Sequence, residues 1–375
     1  MKKYFLLNII TVSLVCIPLF FGCDVSKGSW TEIAALNHER YAHTATLLHD
    51  GKVLVAGGFD LQSNGQTSTE LFDPGTGSWA ETSSLKTGRA GHTATLLNDG
   101  RVLVAGGLGV KLAANNNTAE IYDPVNNQWT ETASMKDIRF DHTATLLPDG
   151  RVLVAGGQGG DAFLAAAEIY DPVTGLWSQT GRMNQGRRNH RATLLRDGKV
   201  LVTGGFDASF SGFDSAELYD PAAGIWTLTG SLNIKRGGHT ATLLQDGRVL
   251  VAGGYNGGAS ADSSGFIDSA EIFSSKTGTW TEAAPMAGTR SGHAAVLLPG
   301  GMVVVTGGFS SDFTGLDSAE IFNPYSSTWV SIDTMHTARS GHTATILPDC
   351  GILVAGGFVK NGTPHNKAEI YQYTK

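Results

Sequence analysis

The sequence predicts an all-β fold, a seven-bladed β-propeller whose ring is closed by an N-terminal strand completing the last blade. Three observations predict it. The stretch His142 to Gly157, HTATLLPDGRVLVAGG, recurs in seven versions. Their paired glycines stand at Gly57-Gly58, Gly106-Gly107, Gly156-Gly157, Gly204-Gly205, Gly253-Gly254, Gly307-Gly308 and Gly356-Gly357. Successive pairs lie 49, 50, 48, 49, 54 and 49 residues apart, and such a fixed period marks a repeat architecture. Second, the seven tryptophans are offset from the seven units. Six units carry Trp79, Trp129, Trp177, Trp226, Trp280 and Trp329, the seventh carries none, and Trp30 precedes the first. Third, 49 of 375 residues are glycine and only 16% are charged, the composition of a β-rich chain with many tight turns.

Each unit has four parts. The first is Arg-x-x-His followed by a strand of small residues, as at Arg139, His142 and Thr143–Leu146. An Asp-Gly turn follows, Asp149-Gly150 in unit three, where a two-residue hairpin would put both residues at positive φ. The second strand is apolar on both faces, Val152 and Val154 on one and Leu153 and Ala155 on the other, so it has neighbours on both sides. The third carries Glu and an aromatic, Glu168 and Tyr170 in unit three. An Asp-Pro pair such as Asp171-Pro172 suits a type I turn into the fourth strand, which holds the tryptophan. Small side chains in the first strand and large ones in the last make a wedge. Wedges stack into a ring, and the Trp30 strand fills the place that the seventh unit leaves open.

The chain divides into 1–22, 23–28 and 29–375. Lys2 and Lys3 followed by the apolar run Tyr4 to Phe21 read as a secretory signal peptide. Leu19-Phe20-Phe21-Gly22 before Cys23 resembles a bacterial lipobox, which implies lipidation at Cys23 and export to the bacterial cell envelope, with 23–28 as a tether. Cys16 leaves with the signal and Cys23 is acylated, so Cys350 alone remains and no disulfide framework is possible. Cys350 replaces a turn glycine, with Gly351 next in line for the permissive backbone position. The net charge of −7 becomes −9 once Lys2 and Lys3 are gone, which argues against a nucleic-acid partner.

Gly-Gly after an apolar strand, then an aromatic, then Trp, repeated at this period, resembles the kelch repeat, in the bacterial form related to the galactose oxidase propeller. The resemblance spans Ser29 to Tyr373. It implies a scaffold that binds protein or carbohydrate. It also raises two enzymatic readings. Galactose oxidase chemistry requires a copper site with a cysteine cross-linked to tyrosine, and the lone Cys350 in a turn does not provide it, so neither cofactor nor metal is expected. A carbohydrate-active enzyme of the sialate epimerase (mutarotase) type, with its site at the channel mouth, is the alternative to a binding protein.

The recurrent Arg-x-x-His and Glu residues read as a structural latch within each blade, since seven symmetric copies do not converge on one reacting atom. The most variable segments are the loops between second and third strands. The candidate binding face therefore comprises Arg188, Phe206, Phe210, Phe213, Tyr255, Phe266 and Phe309, with the loop of unit five the longest. Unit four departs most from the pattern, reading Arg187-Arg188-Asn189-His190-Arg191. Period-two alternation puts Arg188 opposite Arg191, with Arg188 outward and Arg191 directed into the blade.

Overall fold

The computed structural model describes residues 27–109, 116–258, 265–311, 314–359 and 363–373. The expected signal segment, Cys23 and the start of the expected tether lie outside them. Among the described residues there are seven four-stranded antiparallel sheets and one short hairpin, Gln158–Gly159 with Ala162–Phe163, and no helix. Blade three is typical: Thr143–Leu146, Val152–Ala155, Ala167–Asp171 and Leu176–Gln179 pair in sequence order. The first strands of adjacent blades lie against one another all the way round, Thr44–Leu47 against Thr343–Ile346 included, so they line the axis. The fourth strands form the rim. Blade seven has Ile352–Ala355 between Thr343–Ile346 and Ala368–Tyr373, and its outermost strand is Gly28–Glu32, with Trp30 opposite Tyr371.

The core lies between blades. Leu103, Ala105, Ala119 and Ile121 of blade two pack on Val152, Val154 and Tyr170 of blade three. One step round, Leu153, Ala155 and Ile169 pack on Val200, Val202 and Tyr219. In blades one, two, three and five the second strand thus shows Leu and Ala to the next blade and two valines to the previous one. Blade four has Thr203 for the alanine, blade six has Val304 and Thr306, and blade seven has Ile352 for a valine. Full burial of such side chains stabilises by roughly 1.5–3 kcal/mol each. At the rim, tryptophan stacks on the third-strand aromatic, as Trp177 on Tyr170 at 5.0 Å, and reaches back one blade. Its indole N–H donates to a carbonyl there: Trp177 to Ala133 at 2.8 Å, Trp226 to Gly181, Trp280 to Gly230, Trp329 to Ala284 and Trp79 to Ala34. Trp129 is buried against Tyr122 without such a bond.

The paired glycines have a steric cause. Gly57 and Gly58 have φ of +61° and +101°. A Cβ on Gly57 would overlap the carbonyl of Arg89 and lie 2.9 Å from Cε1 of His92, both of the next blade. A Cβ on Gly58 would lie 2.9 Å from Cβ of His43 in its own blade. Gly156 and Gly157 stand in the same relation to His190 and His142. The first glycine admits the next blade's histidine, and the second admits its own.

The Asp-Gly turns differ from the expected two-residue form. Gly150 has φ +87° and Asp149 is not left-handed. Leu147 N–H donates to Arg151 O at 2.8 Å and Gly150 N–H to Leu147 O at 2.9 Å, a three-residue loop ending in one left-handed residue. In blade seven Cys350 itself holds that place, at φ +71°, and its N–H donates to Leu347 O at 2.9 Å. Gly351 does not take over the strained position. Cys350→Gly is therefore expected to raise stability, because relief of a left-handed Cβ (about 1–2 kcal/mol) exceeds the entropic cost of glycine (about 0.5–1 kcal/mol). A urea midpoint lower than that of the parent would show that the thiol contributes packing greater than the strain.

Candidate functional site

The charged residues of each repeat are consumed by the fold. All seven arginine–glutamate pairs close at 2.6 to 2.9 Å, with side chains at most 3% exposed. In blade three Arg139 Nη2 donates to Glu168 at 2.8 Å, while Nη1 donates to the carbonyls of Gly156 and Ala166. Glu168 also accepts the backbone N–H of Lys136 at 2.7 Å and of Asp137 at 3.3 Å. The pair fastens the incoming connection to the end of the second strand. Removing one partner of such a pair costs about 3–5 kcal/mol because it strands a buried charge.

The histidines do a different task from the one expected within each blade. They latch one blade to another. Nε2 of His142 lies 3.0 Å from Oγ1 of Thr93 in blade two, and His43, His92, His190 and His293 repeat the contact with Thr343, Thr44, Thr143 and Thr240. Nδ1 of each has no partner. A bare acceptor costs less than a buried unmet N–H, so Nε2 is the donor to threonine. Burial lowers the pKa of every one of these rings, with the blade's own arginine acting in the same direction, to about 3 for His43 and His190.

Two blades lack the threonine. Blade four has Arg191 there and blade six Ala294. In both, the hydroxyl comes from the residue paired across the sheet, Thr203 opposite Arg191 and Thr306 opposite Ala294. Thr203 Oγ1 meets His239 at 2.9 Å and Thr306 Oγ1 meets His342 at 2.8 Å. The other five blades have alanine at that paired position. This exchange was legible in the sequence and is absent from the expectations above.

The face bearing the second-to-third loops is organised by a ring of backbone. Ala42, Gly91, Asp141, Asn189, Gly238, Gly292 and Gly341 all have φ between +49° and +63°. Each donates its N–H to the carbonyl of the one before it, at 2.9 to 3.2 Å, and Ala42 closes the circuit on Gly341. Seven hydrogen bonds thus encircle the channel mouth. Around them runs a collar of contacting aromatics: Phe206, Tyr255, Phe266, Phe309, Phe358, Tyr41 and Phe59, with centroids 5.1 to 6.1 Å apart.

The candidate residues fall into three groups against this frame. Phe206 and Phe266 are buried, and Tyr255 and Phe309 half-buried, as members of the collar. Phe213 lies against the guanidinium of Arg187, which is spent on Glu217. Phe210 remains at the surface, with Arg188 half-buried beside it. The Arg188 guanidinium stands 4.6 Å from the Phe210 centroid, 5.0 Å from Phe163 and 5.9 Å from Phe140. It donates to Gln158 Oε1 at 2.6 Å and lies 3.9 Å from Asp141. Burial lowers its pKa and Asp141 opposes that. Phe210 is 53% exposed. The cluster is built from blades three and four, and its members Phe140, Asp141, Gln158 and Phe163 were not among the expected residues. Arg191 does not point into the blade. It lines the axial channel with Thr240, Thr242 and Ala294. Among the described residues no group of three or more His, Cys, Asp or Glu is placed to hold a metal ion.

Residues 16–205 and 179–357 match the KLHDC2/KLHL20/DRC7 Kelch-repeats domain. No curated protein matches the chain. Among solved structures, a novel fungal alcohol oxidase with catalytic diversity among the AA5 family, in complex with copper, superposes with a TM-score of 0.75. It shares 21% identity over 92% of this chain and 76% of that one. At that identity the likeness is one of fold, the galactose-oxidase-like propeller.

Proposed function

The chain belongs to the Kelch-repeat family, and from that premise we propose that it is an exported, lipid-anchored binding protein whose working surface is the loop face of blades three and four. Kelch propellers generally bind proteins. The observation that carries the reading is the Arg188 cluster. All seven arginines of the Arg-x-x-His set are sealed against their glutamates, whereas Arg188, outside that set, lies among three phenylalanines at the mouth, one of them half exposed. An aromatic beside an arginine on a rigid base is the composition of an interface hot spot. Preformed contacts to Gln158 and Asp141 hold the arginine in place, so little side-chain entropy is lost on binding.

The experiment uses residues 24–375 and the partner they retain from the cell envelope. Phe210→Ala and Arg188→Ala should each weaken binding by more than ~2 kcal/mol, about thirtyfold in Kd, with unchanged melting. Val173→Asp, on an exposed hairpin tip of the opposite face, is the control. Weakening by Val173→Asp alone would place the working surface on the wrong side. The anchor is tested by fatty-acid labelling of the full chain, and label persisting in Cys23→Ser would remove that part of the reading. Oxidase chemistry is not part of it: Cys350 lies in a first-to-second-strand turn, on the face away from the mouth.

A further inference from the structure

We propose that the axial channel binds a small oxyanion, a carboxylate or an inorganic oxyanion, against Arg191. The site lies inside the ring and does not depend on the loop-face reading.

Seven first strands meet at the axis, and the first residue of each occupies an equivalent place. Five are threonine, one is Ala294 and one is Arg191. Arginine here does not make the histidine latch. The latch that threonine supplies elsewhere is kept in blade four by Thr203, across the sheet from Arg191. Blade six makes the same transfer, to Thr306, and leaves Ala294 at the axis. Arg191 and Ala294 then line one cavity of about 270 Å³ with Thr240, Thr242 and His293. The large residue and the one small residue of this level face the same space. The two exceptions to the repeat thus combine into a charged wall with room beside it.

Charge supplies the second argument. Among the described residues no carboxylate forms an ion pair with Arg191. Asp141, at the mouth above, is the acid whose field reaches it, and Asp141 is shared with Arg188 at 3.9 Å. Two guanidinium groups therefore face one carboxylate. The remaining titratable neighbours, His190, His239, His293 and His342, are neutral, because burial and the arginines hold their pKa values far down. Arginine does not give up its proton in a protein. A partly buried cation with only a shared counter-charge is under-compensated, and an anion in the adjoining cavity reduces that cost. The guanidinium fork matches the paired oxygens of an oxyanion.

The mouth above Arg191 also departs from the repeat. At the seven places of the backbone ring, five residues are glycine or alanine, and only Asp141 and Asn189 carry polar side chains. Both hold left-handed conformations, at φ +52° and +49°, that glycine adopts without cost. Both stand on blades three and four, above Arg191.

The test is calorimetric titration of residues 24–375 with sodium formate and, separately, sodium sulfate, at constant ionic strength in sodium chloride. One site per chain is expected for at least one salt, and which salt binds separates the carboxylate from the inorganic source. Arg191→Thr restores the residue of five other blades and keeps Thr203, so the latch remains. It should weaken binding by about tenfold or more, as loss of a charged hydrogen bond does. Ala294→Leu fills the cavity without touching the arginine and should weaken binding as much, which decides the matter should Arg191→Thr fail to fold. Parent protein that binds neither salt, or variants that bind as the parent does, would overturn the site.

Discussion

Between pH 6.5 and pH 4.5 the protein is expected to lose stability steeply, by about 1.4 kcal/mol per pH unit for each buried latch histidine. Seven rings are involved: His43, His92, His142, His190, His239, His293 and His342, each packed beside the arginine of its own blade and bonded to a threonine of another. Their pKa values are depressed on folding, to about 3 for His43 and His190, chiefly by burial. A base with a depressed pKa takes up its proton only when the chain unfolds. Stability is therefore full above the unfolded value near 6.5 and is lost as pH falls from there towards the folded value. With all seven acting together the loss approaches roughly 10 kcal/mol per pH unit, comparable to the whole stability of a domain. His365, lowered to about 4 by burial and Arg339, acts in the same direction. Asp141, raised by burial, opposes it as one group among many. Asp73 and Asp220 accept backbone N–H bonds in their turns, sit below the ordinary carboxylate range and act only at lower pH. Urea midpoints followed by tryptophan fluorescence at pH 7.5, 6.5 and 5.5 measure the slope, and His142→Gln should reduce it by about one proton. An equal midpoint at pH 7.5 and 5.5 would mean that the rings are protonated in the folded ring, against their burial.

The ring was legible because its signals are additive. Any one Gly-Gly pair is uninformative, yet seven in register, each followed by Glu, an aromatic and Trp, fix blade number and strand order. The missing seventh tryptophan and the orphan Trp30 fix the closure. The site was less legible, for two physical reasons. Aromatics that open the loops look alike in sequence, whereas the structure spends Phe206, Tyr255, Phe266 and Phe309 on one another and leaves Phe210 outside. Which ring is free for a partner depends on neighbours about 50 residues away along the chain. The axial residues were misjudged for another reason. Strand alternation correctly separates Arg191 from Arg188, but a first strand faces a channel as well as two blades, and period two alone does not say which. The compensating Thr203 and Thr306 were the sign that positions 191 and 294 had been released from the latch. Asp141 and Asn189 were visible as departures from glycine, but their meaning required the closed backbone ring.

Removing residues 24–36 is expected to open that ring. The strand Gly28–Glu32 pairs along its whole length with the last strand, from Gly28 opposite Tyr373 to Glu32 opposite Glu369. Trp30 is 5% exposed, stacks on Tyr371 at 5.2 Å and donates its indole N–H to Asp333 O at 2.8 Å. Leu36, 1% exposed, packs with Val55, Ala355 and Ala368, so the segment joins blade seven to blade one on both sides. Loss of a packed tryptophan alone costs about 3–5 kcal/mol, and the deletion adds Leu36 and a full ladder of backbone bonds. It also exposes the edge of Ala368–Tyr373, a template for strands of other chains. The truncated protein should melt well below the parent and self-associate in sedimentation. A synthetic peptide of residues 24–36 should bind the open edge as an added strand and restore melting, while the same peptide with Trp30→Ala should not. A truncated protein that melts with the parent and ignores the peptide would show that the ring holds without its first strand.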